Sequence, residues 1–195
     1  MATTTFKNNM TITGNLAVDG TVTSTGAITA TEPTTGAPGA AGITAGTGTI
    51  HGVTVTRSGS IIETKIVMDI TGLTCGGADG DIIGVASAAD CHIGQITAAA
   101  NGTIFAGYMR CLEVPAGGDP DINLYANVES TGTQDAAASG LTGTGILVNS
   151  GDLTLGGTVI LTAFPAANEY LYLVDGTFTA AAYTAGKIEI VLYGT

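Results

Sequence analysis

The sequence predicts an all-β protein: an antiparallel β-sandwich of jelly-roll type, preceded by an extended Gly/Thr-rich arm. Three observations carry that prediction. Beyond residue 50, short runs alternate apolar and polar residues, as in Lys187-Ile188-Glu189-Ile190-Val191-Leu192-Tyr193. Successive side chains of a strand point to opposite faces, so such a run buries one side and wets the other. Second, most of the runs are separated by turn-forming clusters such as Gly76-Gly77-Ala78-Asp79-Gly80, Asn101-Gly102, Ser150-Gly151-Asp152 and Asp175-Gly176, whose residues tolerate the backbone angles of tight hairpins. Third, no long window spaces its apolar residues at three and four, as an amphipathic helix requires.

The first element is the arm, residues 1–30. Gly14, Gly20 and Gly26 recur every six positions, and Leu16, Val22 and Ile28 each follow two residues later. Six is an even period, so in extended chain these apolar side chains share one side, together with Ile12 and Val18. A strip this thin cannot bury that side by itself. Ile12, Gly14, Leu16, Val18, Gly20, Val22, Gly26 and Ile28 are therefore expected to pack against another chain. Residues 31–49 follow as a linker: Pro33, Gly36, Pro38, Gly39, Gly42, Gly46 and Gly48 lie among Ala and Thr, and little there is expected to form a core.

The third element is the sandwich, residues 50–195. Its β-rich runs fall at 51–56, 61–70, 81–86, 91–97, 103–114, 121–128, 145–149, 152–163, 169–174 and 187–193, which predicts eight to ten strands. In Tyr170-Leu171-Tyr172-Leu173-Val174 the aromatic residues share one face and the leucines the other. Tyr170 and Tyr172 are a candidate contact stripe for a partner or glycan; the alternative is a sheet face covered by a loop.

Composition restricts function. The chain of 195 residues carries 5 Lys+Arg against 16 Asp+Glu, a formal charge of −11. So few cations cannot neutralise a phosphate backbone, so no nucleic-acid partner is expected. No apolar run reaches the length of a membrane-spanning helix, and no membrane partner is expected. Met1 to Met10 is polar, without the apolar stretch of a secretory signal. Cys75, Cys91 and Cys111 read as reduced, buried thiols of a protein assembled in a cytoplasm.

No catalytic residues are expected. Gly59 is flanked by Ser58 and Ser60 without the context of a nucleophile elbow, and His51 and His92 sit in no catalytic motif. Glu113 with Asp119 or Asp121 is one example of the carboxylate pairs glycoside chemistry needs, but any such pair can be drawn by chance from sixteen acids. Cys75, Cys91, His92 and Cys111 are donors that zinc accepts, but without Cys-x-x-Cys spacing. No cofactor and no metal is expected. The alternative is calcium at Asp79, Asp81, Asp119 and Asp121, since Asp79-Gly80-Asp81 and Asp119-Pro120-Asp121 each set two carboxylates on a turn behind paired glycines.

The segment Thr11-Ile12-Thr13-Gly14-Asn15-Leu16-Ala17-Val18-Asp19-Gly20-Thr21-Val22-Thr23 resembles repeats in structural proteins of tailed-bacteriophage virions. The small acidic β-rich remainder is similar in style to capsid decoration (cement) proteins and to fibre heads. The resemblance implies a non-enzymatic virion component, assembled in the host cytoplasm and placed on the capsid surface. There it would bind the major capsid protein and stabilise the head. The alternative it allows is a short tail fibre or baseplate part that binds a host receptor or glycan. A weakly charged surface with few lysines suits a self-associating protein, and the resemblance makes a homotrimer the expected state, because glycine-punctuated strands commonly wind about a threefold axis in viral fibres and spikes.

Overall fold

The computed structural model describes residues 42–44, 46–176 and 179–195. The chain divides into two units, Met1–Thr31 and Glu32–Thr195, and the arm residues Ile12, Gly14, Leu16, Val18, Gly20, Val22, Gly26 and Ile28 lie outside the described residues.

The second unit is a β-sandwich. Its strands are β1 (Ile50–Ser58), β2 (Ile61–Asp69), β3 (Gly94–Gln95), β4 (Ile104–Ala116), β5 (Ile122–Asn127), β6 (Gly145–Val148), β7 (Thr158–Ile160), β8 (Tyr170–Asp175) and β9 (Ala185–Gly194). They form a five-stranded sheet in the order β1-β2-β9-β4-β7 and a four-stranded sheet in the order β3-β8-β5-β6. Every pairing is antiparallel. Strand β2 pairs with β9, β3 with β8, β4 with β7 and β5 with β6. These are the nested pairs of one long antiparallel ribbon that folds back at β5/β6 and rolls up. Rolling adds the β4–β9 and β5–β8 contacts and yields the two four-stranded halves of a jelly roll, with β1 added at one edge.

Alternation decides what lies between the sheets. Ile66 and Met68 of β2, Met109 and Cys111 of β4, and Ile188, Ile190 and Leu192 of β9 face Ile122, Leu124, Ala126, Leu171 and Leu173 of the smaller sheet in one core. Each large aliphatic chain buried here contributes about 1.5–3 kcal/mol. The residues between them in sequence face outwards. On the five-stranded sheet they form ion pairs: Lys65–Glu189 at 3.6 Å, Arg110–Glu189 at 3.5 Å, Lys187–Asp69 at 3.3 Å, and Lys187–Glu113. This is the solvated face expected for Lys187 and Glu189.

Several expected runs are shorter or different. The 81–86 run forms isolated bridges at Asp81, Ile82 and Gly84 in place of a strand. It lies along the β8 edge, where Ile83 N donates to the Leu173 oxygen at 2.9 Å; Ile82 clusters with Cys91, Ala138, Tyr172 and Val174 on the outer side of the smaller sheet, and Ile83 joins the core. The 152–163 run narrows to β7, and 91–97 to β3. Ala98–Asn101 makes one helical turn, with the Thr97 hydroxyl accepting from the Ala100 N–H at its start. The expected linker also contributes to the core: Ile43 is fully buried. Gly42 allows this, because its carbonyl accepts from Val85 N while a Cβ on it would lie 2.2 Å from the Ala89 oxygen. Among the described residues no helix is long and apolar enough to cross a membrane.

Candidate functional site

One end of the smaller sheet gathers acids from separate turns. Antiparallel pairing brings the start of β5, the end of β6 and the end of β8 to the same end. The chain before β5 is Asp119-Pro120-Asp121, the chain after β6 is Asn149-Ser150-Gly151-Asp152, and Gly176 follows β8. An Asp121–Asp152 bridge and a bond from Leu153 N to the Pro120 oxygen at 2.9 Å hold the first two turns together. Asp79, from the turn at 76–80, completes a cavity of about 360 Å³ lined by Asp79, Asp119, Asp121, Asn123, Asn149, Asp152 and Gly176.

The lining holds four carboxylates and two carboxamides, with no cation. Asp119 is only 3% exposed. Its Oδ1 accepts from Asp121 N at 2.9 Å, while its Oδ2 is buried without a partner. Asp121 Oδ1 is also buried without a partner. Burial pushes the Asp121 carboxyl upward, reinforced by the charges of Asp119, Asp152 and Asp79 and opposed by a bond from Asn123. Asn123 is itself anchored, its Oδ1 accepting from Ser150 N at 2.7 Å. The other described cations are engaged elsewhere: Lys65, Arg110 and Lys187 in the ion pairs above, and Arg57 on the Ala99 and Ala100 carbonyls.

Asp79, Asp119 and Asp121 thus come together, while Asp81 departs from the expected quartet. Its carboxylate turns back to accept from Ala78 N at 2.8 Å, closing its own turn. Asn123, Asn149 and Asp152 were not singled out by sequence reasoning; the Ser150-Gly151-Asp152 cluster signals a turn, and nothing local says which turn it meets. Asp175 was also missed. It is fully buried beside the pocket, its Oδ2 accepting from Gly76 N and its Oδ1 without a partner. Burial, with the nearby charges of Asp81 and Asp119, raises its pKa to about 7.

The tyrosine stripe is divided. Tyr172 is fully buried beneath the 81–91 and 132–138 segments and cannot meet a partner, which corrects the contact-stripe expectation at that residue. Its hydroxyl donates to the Glu129 oxygen at 2.6 Å and accepts from Gly132 N at 3.2 Å, and burial lifts its pKa to about 12. Tyr170 keeps some exposure and meets the His92 ring edge-on at 4.8 Å.

The other candidates separate. Glu113 pairs with Lys187 on the outer face of the larger sheet, so it forms no carboxylate pair with Asp119 or Asp121. His51 Nε2 lies 2.7 Å from the Ile93 carbonyl, and burial lowers the pKa of both histidines. Ser58, Gly59 and Ser60 form the β1–β2 turn, with Gly59 at φ 62°. Cys75, Cys91 and Cys111 are free and buried, and burial raises the Cys91 thiol to about 11. Among the described residues, no three His, Cys, Asp or Glu side chains stand close enough together to hold a metal ion.

No protein-family model, curated protein or solved structure matches the chain.

Proposed function

We propose that the chain is a non-enzymatic structural protein of a bacteriophage virion, a decoration protein that binds the assembled capsid as an oligomer. The observation that carries the reading is the edge of β1. All nine of its residues pair with β2 on one side, while the other side meets no strand among the described residues. The strand holds no lysine or proline to guard that edge, and Gly52, Thr54 and Thr56 are exposed along it. An unguarded edge of this length is a template for a strand from another chain. At the opposite end of the sheet, Leu155 (72% exposed) and Ile160 (65%) present apolar surface around the short β7. The repeat in the arm supports the same reading, because it needs a partner to cover its apolar side. Jelly rolls serve viral capsids, lectins and cupins alike, so the fold agrees with a virion role without selecting it. The mechanism is mass action: a protein that binds only the assembled shell stabilises it by its binding free energy.

The test is location and dependence on the arm. Electron microscopy of particles assembled with the chain is expected to place it on the shell and to raise the melting temperature of the head. Deleting residues 2–30 is expected to abolish coating. Density on the tail would favour the receptor-binding alternative. Release of reducing sugar from host polysaccharide would overturn the non-enzymatic reading.

A further inference from the structure

We infer that the cavity between the β5, β6 and β8 ends is a calcium site, with Asp119 and Asp121 as its inner ligands and Asp79, Asp152 and the Asn123 and Asn149 side chains around them. The inference is independent of the proposed function.

Four carboxylates converge here from three stretches of chain distant in sequence, and no described cation lies among them. An acidic surface alone would need nothing more than water. The decisive feature is Asp119, which is 3% exposed and still leaves Oδ2 without a partner while lining the cavity. Buried carboxylate oxygens are ordinarily hydrogen-bonded, paired or metal-bound. Asp121 repeats the pattern on the same turn, with Oδ1 buried and without a partner. Two such oxygens on one rigid Asp-Pro-Asp turn, held by the Asp121 N to Asp119 Oδ1 bond, are a preorganised pair of anionic donors.

The donor set selects the ion. Every lining side chain offers oxygen and none offers sulfur or imidazole, which suits a hard cation and not zinc or copper. The cavity of about 360 Å³ has room for several waters at roughly 30 Å³ each. This accounts for the absence of three carboxylates in mutual ligating distance: part of the shell is water, bridged to the outer acids. Calcium takes 6–8 oxygens in irregular geometry, whereas magnesium demands a compact octahedron. A wide ring of mixed carboxylate and carboxamide oxygens fits the former.

The full chain, stripped with a chelator and dialysed, is titrated with CaCl2 by calorimetry and melted with and without the ion. One calcium per chain is expected, and at about 100 times its Kd the ion should raise Tm by roughly 5 °C or more. Asp119→Asn should weaken binding at least about tenfold, because it removes a charge from the innermost ligand. Asp152→Asn, at an exposed side chain, should weaken it less and serves if the first variant fails to fold. Asp69→Asn, on the outer face of the other sheet, should leave affinity unchanged. Three results would overturn the assignment: no shift beyond that of NaCl at equal ionic strength, an undiminished shift in both pocket variants, or an equal shift with MgCl2.

Discussion

At the scale of single residues, buried polar groups are the most informative. Asp175 is fully buried with a pKa near 7, well above its value in an unfolded chain. A carboxyl whose folded pKa is raised binds its proton more tightly in the native state, so the protein loses stability as pH rises from about 4 through 7. The groups facing it are the Asp81 and Asp119 carboxylates and the Gly76 N–H. Asp175→Asn keeps an acceptor for Gly76 and removes the charge. It is expected to be more stable than the wild type at pH 8, by on the order of 2 kcal/mol, with the gap closing below pH 4; melting curves across pH check this. Tyr172 offers a second case. Tyr172→Phe strands the buried Gly132 N–H and frees the half-buried Glu129 oxygen, and is expected to cost about 1–3 kcal/mol in denaturant unfolding. Neither effect could be foreseen locally. Alternation correctly put Tyr172 opposite Leu171 and Leu173, but the segments that cover it come from residues 81–91 and 132–138.

At the scale of elements, the strands divide by how much of their patterning is local. Strands β2, β4 and β9 have long alternating faces and emerge near their expected limits. Strand β9 is central, flanked by β2 and β4, so Ile190→Ala there is expected to cost about 2–5 kcal/mol through lost burial and a residual cavity. The ion pairs on its outer face set half-exposed Lys65, Arg110 and Lys187 against largely covered Glu189 and Asp69 carboxylates, so solvent screens them in part. Short strands were harder to read. The stretches reduced to β3 and β7 carry enough apolar residues for full strands, yet pair over two and three positions. The 81–86 run makes only isolated bridges, yet it lies along the β8 edge, with Ile82 in the outer cluster and Ile83 in the core between the sheets. Period-two texture reports burial on one side, whether the burying partner is a sheet or a loop laid upon one.

For the molecule as a whole, the sandwich has its own core, reaching from Ile43 to Leu192 and drawing on both sheets. Removing residues 2–30 is therefore expected to leave a cooperatively folded domain, with Tm changed by no more than about 4 °C, even as it abolishes association; calorimetry and light scattering on the truncated chain check the two halves separately. A melt that loses cooperativity would show that the arm belongs to the fold. Most contacts here join segments far apart in sequence, as a jelly roll requires, so folding is expected to be slow for the domain's size.

The all-β class, the approximate number of strands, the outward ion-bearing face of β9 and the turn chemistry between strands follow from the order of residues alone, because each depends on neighbours two or three positions away. The acidic cavity does not. Asp79, Asp121 and Asp152 are ordinary turn residues until the ribbon rolls up and brings the β5, β6 and β8 ends together, and only that closure leaves Asp119 buried with an oxygen lacking a partner. Asp81 shows the converse: the same turn motif spends its carboxylate on its own backbone. Patterns within one strand are written by local geometry, whereas a site assembled from several turns depends on strand order, which the pairing of distant segments decides.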